Sequence, residues 1–223
     1  MRKGAKLSIS AAAIAVFGVS GLVAIRDGVV DTAVNTANIE MLTWSASGAE
    51  PGVETQRWVR EDLEWAVARV SDDPVTHELL GTLALRGLSK PDDARVAYER
   101  YRETLQMRPS SPYTWMRLAE LKYRTGDTGA KFEDYLQRAA ELGHAEPEIQ
   151  REGAFLGLAV YDDLSAPARA AVDTLLQAGI RRDTPEMMRI SRRRGRLDVT
   201  CGLASGMASG IDSKSSQSCQ GTE

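Results

Sequence analysis

The chain has 223 residues, 43% of them hydrophobic and 26% charged, enough for one globular core or a short repeat array. Two cysteines exclude a disulfide-dense scaffold, and two histidines exclude a multi-histidine metal site. Lys+Arg 28 against Asp+Glu 31 leaves a net charge of −3, which argues against a nucleic-acid partner.

The first 26 residues read as a cytoplasmic tip and a signal-anchor helix. Arg2, Lys3 and Lys6 precede an uncharged run from Leu7 to Ile25, and Arg26 closes it. The run has the length of a membrane-spanning helix. A cleavable signal peptide needs small residues at −3 and −1, and Leu22-Val23-Ala24 puts a leucine at −3, so a retained anchor fits better. The basic tip places the N-terminus in the cytoplasm and the rest of the chain across the membrane. Residues 27–54 read as a spacer: Val29 to Trp44 could continue the helix, and Ser45 to Glu54 is a breaker-rich linker.

From 55 to 197 the pattern is helical and repeats at a shift of 38. Leu80-Gly81 recurs as Leu118-Ala119 and Leu156-Gly157, and Pro74 recurs as Pro112. Asp72-Asp73-Pro74, Ser110-Ser111-Pro112 and Ala145-Glu146-Pro147 are helix starts, with Asp or Ser able to cap and Pro pre-organised in the first turn. Gly81, Ala119 and Gly157 let the helices of each hairpin approach closely. A preceding helix covers about 54–70, and a last helix begins at Asp183-Thr184-Pro185 and ends near Gly195. The predicted fold is all-α, a stack of hairpins that bury their stripes against neighbours. Residues 198–223, rich in Ser and Gly, read as a disordered tail.

Little in the chain suggests catalysis. His77 and His144 are 67 apart and read as lying on helix ends or the surface, with no metal spacing around them. Glu99/Glu103, Asp92/Asp93 and Asp162/Asp163 are carboxylate pairs that read as solvated faces. No phosphate-binding glycine loop or nucleophile elbow is present, so no enzyme activity, metal or cofactor is expected. Cys201 and Cys219 pair with each other, stay free, or pair with another chain. Arg189, Arg192, Arg193 and Arg196, with Arg181, Arg182 and Arg194, form a basic helix that is either a solvated face or a contact for an anionic ligand.

Trp115-x2-Leu118-Ala119-x3-Tyr123 followed by Gly126-Asp127 resembles the first-helix signature of tetratricopeptide repeats, and Leu80-Gly81 with Ala94, Tyr98 and Pro109 resembles a second copy. The period of 38 departs from the usual ~34. The resemblance implies a TPR-like α-solenoid whose concave groove is lined by first helices. It points to Tyr113, Met116, Glu120, Tyr123 and Arg124, and in the preceding unit to Glu78, Thr82, Leu85 and Arg86. Leu85 and Tyr123 are also candidates for the core.

The anchor, Ser111-Pro112-Tyr113-Thr114-Trp115, Leu142-Gly143-x2-Glu146-Pro147-Glu148-x-Gln150, Gly157-Leu158 and Cys201 after a basic helix resemble the VpsP-like accessory proteins of bacterial exopolysaccharide biosynthesis. That resemblance implies a single-pass inner-membrane protein with a periplasmic repeat domain and a protein partner in an envelope polysaccharide assembly system. It implies no reaction. Direct binding of an anionic polysaccharide by the arginine-rich helix, or a glycan-acting enzyme, are the alternatives.

Overall fold

The computed structural model describes residues 3–48, 50–88, 91–207 and 219, with the backbone alone at 3–23 and 91. Among the described residues the structure is all-helical, with no strand. The helices are α1 (Lys3–Ser47), α2 (Val53–Val67), α3 (Pro74–Arg86), α4 (Pro91–Met107), α5 (Pro112–Arg124), α6 (Ala130–Gly143), α7 (Pro147–Ala159), α8 (Ala166–Arg193) and α9 (Leu197–Gly206). They form two compact units, Met1–Leu83 and Ala84–Glu223.

In the first unit, α1 buries Val30, Val34, Ala37, Met41 and Trp44. Their alternating spacing of four and three puts them on one helix face. Val59 and Leu63 of α2 share a core with Ala37, Met41 and Trp44, and Ala66 packs with Val30 and Val34. The Trp44 indole N–H donates to Glu40 Oε1 at 2.8 Å, so the ring is buried without stranding its polar atom. This corrects the reading of 27–54 as a spacer: residues 27–47 are a packed helix, and the break narrows to 48–52, where Gly48 has a φ of +65°. Among the described residues no helix is long and apolar enough to cross a membrane. The side chains of residues 7–23, where the sequence places the anchor, lie outside the described residues.

The helix starts follow their local signals. Asp73 accepts from the backbone N–H groups of Val75 and Thr76, both at 3.1 Å, and caps α3. Ser111 accepts from Thr114 N–H at 3.3 Å and caps α5. Gly126, at a φ of +76°, ends α5: its N–H donates to Tyr123 O at 3.1 Å, and Asp127 N–H donates to Lys122 O at 2.9 Å. That pair of bonds is a Schellman closure, and the left-handed position favours glycine.

Helices α3, α5 and α7 are each 13 residues long and each start on a proline. Counted from that proline, the third, seventh, eighth and tenth residues are buried in all three: Thr76, Leu80, Gly81 and Leu83; Thr114, Leu118, Ala119 and Leu121; Ile149, Gly153, Ala154 and Leu156. The starts at 74 and 112 keep the predicted spacing of 38, but the start at 147 follows after 35. Helix α4 has 17 residues where α6 has 14, which accounts for the three-residue slip. Leu156 therefore corresponds to Leu121, not to Leu118.

Close approach matters most at α7 and α8. A Cβ on Gly157 would overlap Val172, and one on Gly153 would overlap Leu175 and come within 3.2 Å of Met116 Cε. Helix α8 kinks at Asp183 (φ −151°, ψ 78°), whose carboxylate accepts from Glu186 N–H at 3.1 Å and caps the stretch beginning at Thr184. Thus the predicted last helix does begin there, continuous in direction with its predecessor.

The tail reading is corrected in part. Residues 197–206 are α9, with Thr200 and Ala204 buried. The Thr200 and Ser191 hydroxyls are hydrogen-bonded at 2.5 Å. Cys201 and Cys219 form a disulfide with their Cα atoms 5.7 Å apart. Residues 208–218 and 220–223 lie outside the described residues.

Candidate functional site

A cleft of about 360 Å³ opens in the second unit between α5, α7 and the last part of α8. Helix α5 contributes Glu120, Tyr123 and Arg124. Helix α7 contributes Arg151, Glu152, Phe155 and Leu156. Helix α8 contributes Glu186, Arg189, Ile190 and Arg193. Leu156 and Ile190 are buried and form an apolar floor, while Phe155 remains 39% exposed. The Arg194 guanidinium lies 3.4 Å over the Phe155 ring and 5.6 Å from the Tyr123 ring, and its Nε–H donates to Phe155 O at 2.9 Å. The aromatic wall is thereby held from one side by a cation and a backbone bond.

One wall is tied by Arg117. Its guanidinium reaches Glu120 at 2.9 Å and Glu152 at 3.0 Å through one nitrogen, and Glu148 at 3.3 Å through the other. Arg124 sits 3.7 Å from Glu120. Burial works against the Arg117 charge, but Glu152 and Glu120 outweigh it and hold the guanidinium protonated. Burial pushes the Glu152 carboxyl up, Arg117 opposes this, and the neighbouring Glu120 and Glu148 add to the rise. Arg189 pairs with Glu186, with Nε at 2.7 Å. Its hydrogen bond, and the charges of Arg189, Arg151 and Arg193, hold Glu186 below the usual carboxylate range.

The carboxylates of the cleft are thus already matched to arginines. Arg151 and Arg193 make no ion pair among the described residues. The result is an apolar floor with two unmatched cations at its rim, which suits a ligand bearing both an apolar group and an anionic one.

The residues predicted for a groove and those predicted for an anion site partly converge here. Glu120, Tyr123, Arg124, Arg189 and Arg193 all line the cleft. Met116 does not: it is fully buried and belongs to the core, as does Leu85. Tyr113 is at the far end of α5, where its hydroxyl donates to Glu146 Oε2 at 3.1 Å. Glu78 and Thr82 lie in the first unit, with the Thr82 hydroxyl donating to Glu78 O at 2.9 Å, and Arg86 ends α3; none of the three lines the cleft. Arg192 is exposed outside the cleft, and Arg196 is paired with Asp162.

Arg151, Glu152, Phe155 and Arg194 were missed by the sequence reading, for a physical reason. With α7 aligned on its proline, Phe155 occupies the place of Glu120 and Glu152 that of Arg117. The shift of 38 hid both. The histidines carry no site: His144 is exposed, and His77 is buried rather than superficial, with a ring nitrogen 2.9 Å from Ser71 O. Glu99 and Glu103 each lie beside an arginine on α4. Among the described residues no cluster of three His, Cys, Asp or Glu could hold a metal ion. Compared with protein-family models, curated proteins and solved structures, the chain matches none.

Proposed function

We propose that this protein is a membrane-anchored, periplasmic interaction scaffold and an accessory factor in bacterial exopolysaccharide biosynthesis or export. It holds a protein of the polysaccharide assembly system in the α5–α7–α8 cleft. The observation that carries this reading is the cleft itself, where five residues chosen from two independent sequence signals converge on an apolar floor. The proline-started helices with matching burial support a TPR-like solenoid, and such stacks present side chains along a groove rather than a closed pocket. Residues 7–25 supply the anchor. The Cys201–Cys219 disulfide supports an oxidising compartment on the far side of the membrane. Anchoring raises the effective concentration of a membrane-held partner.

The partner segment carries an apolar side chain for Phe155, Leu156 and Ile190, and a carboxylate for Arg151 and Arg193. The test is in-cell crosslinking and pulldown of the full-length chain beside an Arg151→Ala/Arg193→Ala variant. Capture of identified envelope glycan-assembly proteins, lost in the variant, is expected. Undiminished capture by the variant overturns the assignment of the cleft.

The unmatched arginines also favour a second reading, direct binding of an anionic polysaccharide. It predicts that glycan rather than protein co-purifies, and that binding weakens steeply with salt. The floor opposes it, since Leu156, Phe155 and Ile190 offer sugar hydroxyls no side-chain hydrogen-bond partner.

A further inference from the structure

Helix α1 has a second apolar face that α2 does not cover. Ile25, Val29, Ile39 and Leu42 are 67%, 52%, 56% and 61% exposed, half of the large apolar side chains so exposed among the described residues. Three of them fall on a stripe of alternating spacing, four then three: Ile25, Val29, Thr32, Thr36, Ile39, Thr43. Every member is β-branched. The threonines are not polar intrusions, because each hydroxyl donates to the carbonyl four residues back: Thr32 to Gly28 at 2.7 Å, Thr36 to Thr32 at 2.8 Å and Thr43 to Ile39 at 2.9 Å. With its hydroxyl satisfied within the helix, a threonine offers a neighbour chiefly its methyl group. The face is therefore apolar over three heptads.

The same register runs on toward the N-terminus in the sequence, through Leu22, Gly18, Ala15, Ala11 and Ser8. Small residues at that spacing let membrane helices approach closely. From 8 to 43 the register contains no charge, although Arg26, Asp27, Asp31 and Glu40 stand just off it. In a parallel, in-register pair each stripe residue meets its own copy, so a charge there would face its like. The flanks meet the same condition, since Gly28 would face Ala33 and Asn35 would face Glu40.

We infer that α1 is a self-association helix, along which a second copy of this chain docks in parallel through the stripe from Ile25 to Thr43. The parallel orientation rests on the anchor reading, which fixes both copies in one direction. The α2-binding stripe begins one residue on, at Val30, about 100° round the helix, so α2 and a second copy use different faces.

The test is a cysteine scan of the full-length chain in native membranes, with oxidation and non-reducing gels. The two native cysteines are bonded to each other and set the monomer baseline. Same-position dimers are expected at Val29→Cys, Thr32→Cys, Thr36→Cys and Ile39→Cys, about tenfold above those at Asn35→Cys and Asn38→Cys, because facing core positions come closest. Adding Ile39→Lys to Thr36→Cys should abolish that dimer while leaving the chain folded, since Ile39 is exposed. A flat or absent pattern in a membrane-bound chain overturns self-association and leaves the anchor reading standing. So does a stripe that crosslinks only to a different protein. A chain found outside the membrane fraction overturns the anchor reading alone, and there the same periodic dimers still decide self-association by their presence or absence.

Discussion

Helices α5 and α7 have the same length, the same starting proline and a shared burial pattern, yet they are bounded by different means. Helix α5 is closed locally: Ser111 caps its first turn and Gly126 its last. Helix α7 has neither device. Glu146 makes no capping bond and instead accepts from Tyr113 of α5. Beyond its last turn, the Tyr161 hydroxyl donates to Asp173 Oδ1 at 2.7 Å, and Arg169 donates to the carbonyls of Tyr161, Asp162 and Leu164. Where α5 presents a full-sized Leu118, α7 has Gly153, pressed against Leu175. One helix is specified by its own residues and the other by its neighbours, and the cleft lies where the two meet.

That contrast is open to attack from both sides. The largest effect is expected at Gly153→Val, where the added side chain would collide with Leu175. Overpacking there should cost about 3 kcal/mol, read as a fall in the denaturation midpoint. An unchanged midpoint would show that α7 is not pinned by close packing. Next is Arg117→Leu, which leaves Glu120, Glu148 and Glu152 facing one another without their shared cation. A loss of about 2 kcal/mol at neutral pH is expected, recovered in part on acidification as the carboxylates protonate.

Smaller losses should single out α5. Ser111→Ala and Gly126→Ala should each cost about 1 kcal/mol, the first through a lost cap and the second through a strained left-handed residue. Glu146→Ala, at the equivalent position before α7, should cost under about 0.5 kcal/mol, because no cap is lost. A cost equal to that of Ser111→Ala would erase the distinction. The smallest effect at neutral pH belongs to Tyr161→Phe. Burial, then the hydrogen bond to Asp173, pushes the Tyr161 hydroxyl up to about 12. The unfolded chain would ionise this group near 10. Its contribution is thus whole below about pH 10 and lost as pH rises toward 12. In Tyr161→Phe that alkaline slope should flatten, seen by following unfolding against pH.

What the sequence made legible follows the same division. The starts of α3 and α5 and the turn at Gly126 rest on signals within a few residues, and the predicted sites are where the helices begin and end. The kink at Asp183 was readable for the same reason: a capping aspartate stands two residues before a proline. The register of α7 was not, because three residues missing from the second helix of the preceding hairpin leave no local mark. Glu120 and Tyr123 were therefore found on α5, while their neighbours Phe155 and Glu152 were passed over. Met116 failed differently. Its position on the helix fits a groove, but Gly153 admits its methyl end into the core, a contact no single segment announces. Residues 197–206 were hidden by composition, since a Gly- and Ser-rich stretch can still be held as a helix when Thr200 and Ala204 have somewhere to pack.

The disulfide has one further consequence, in how the chain would respond to damage. Helix α9 is ten residues long, too short to persist alone in water, and two of its side chains are buried. The bond from Cys201 to Cys219 closes a covalent ring through the intervening residues. A protease that cuts once anywhere inside that ring separates nothing. The fragments remain tied, and the nick is invisible on a gel until a reductant is added. Stability toward degradation should then be judged under reducing conditions, where the wound would show.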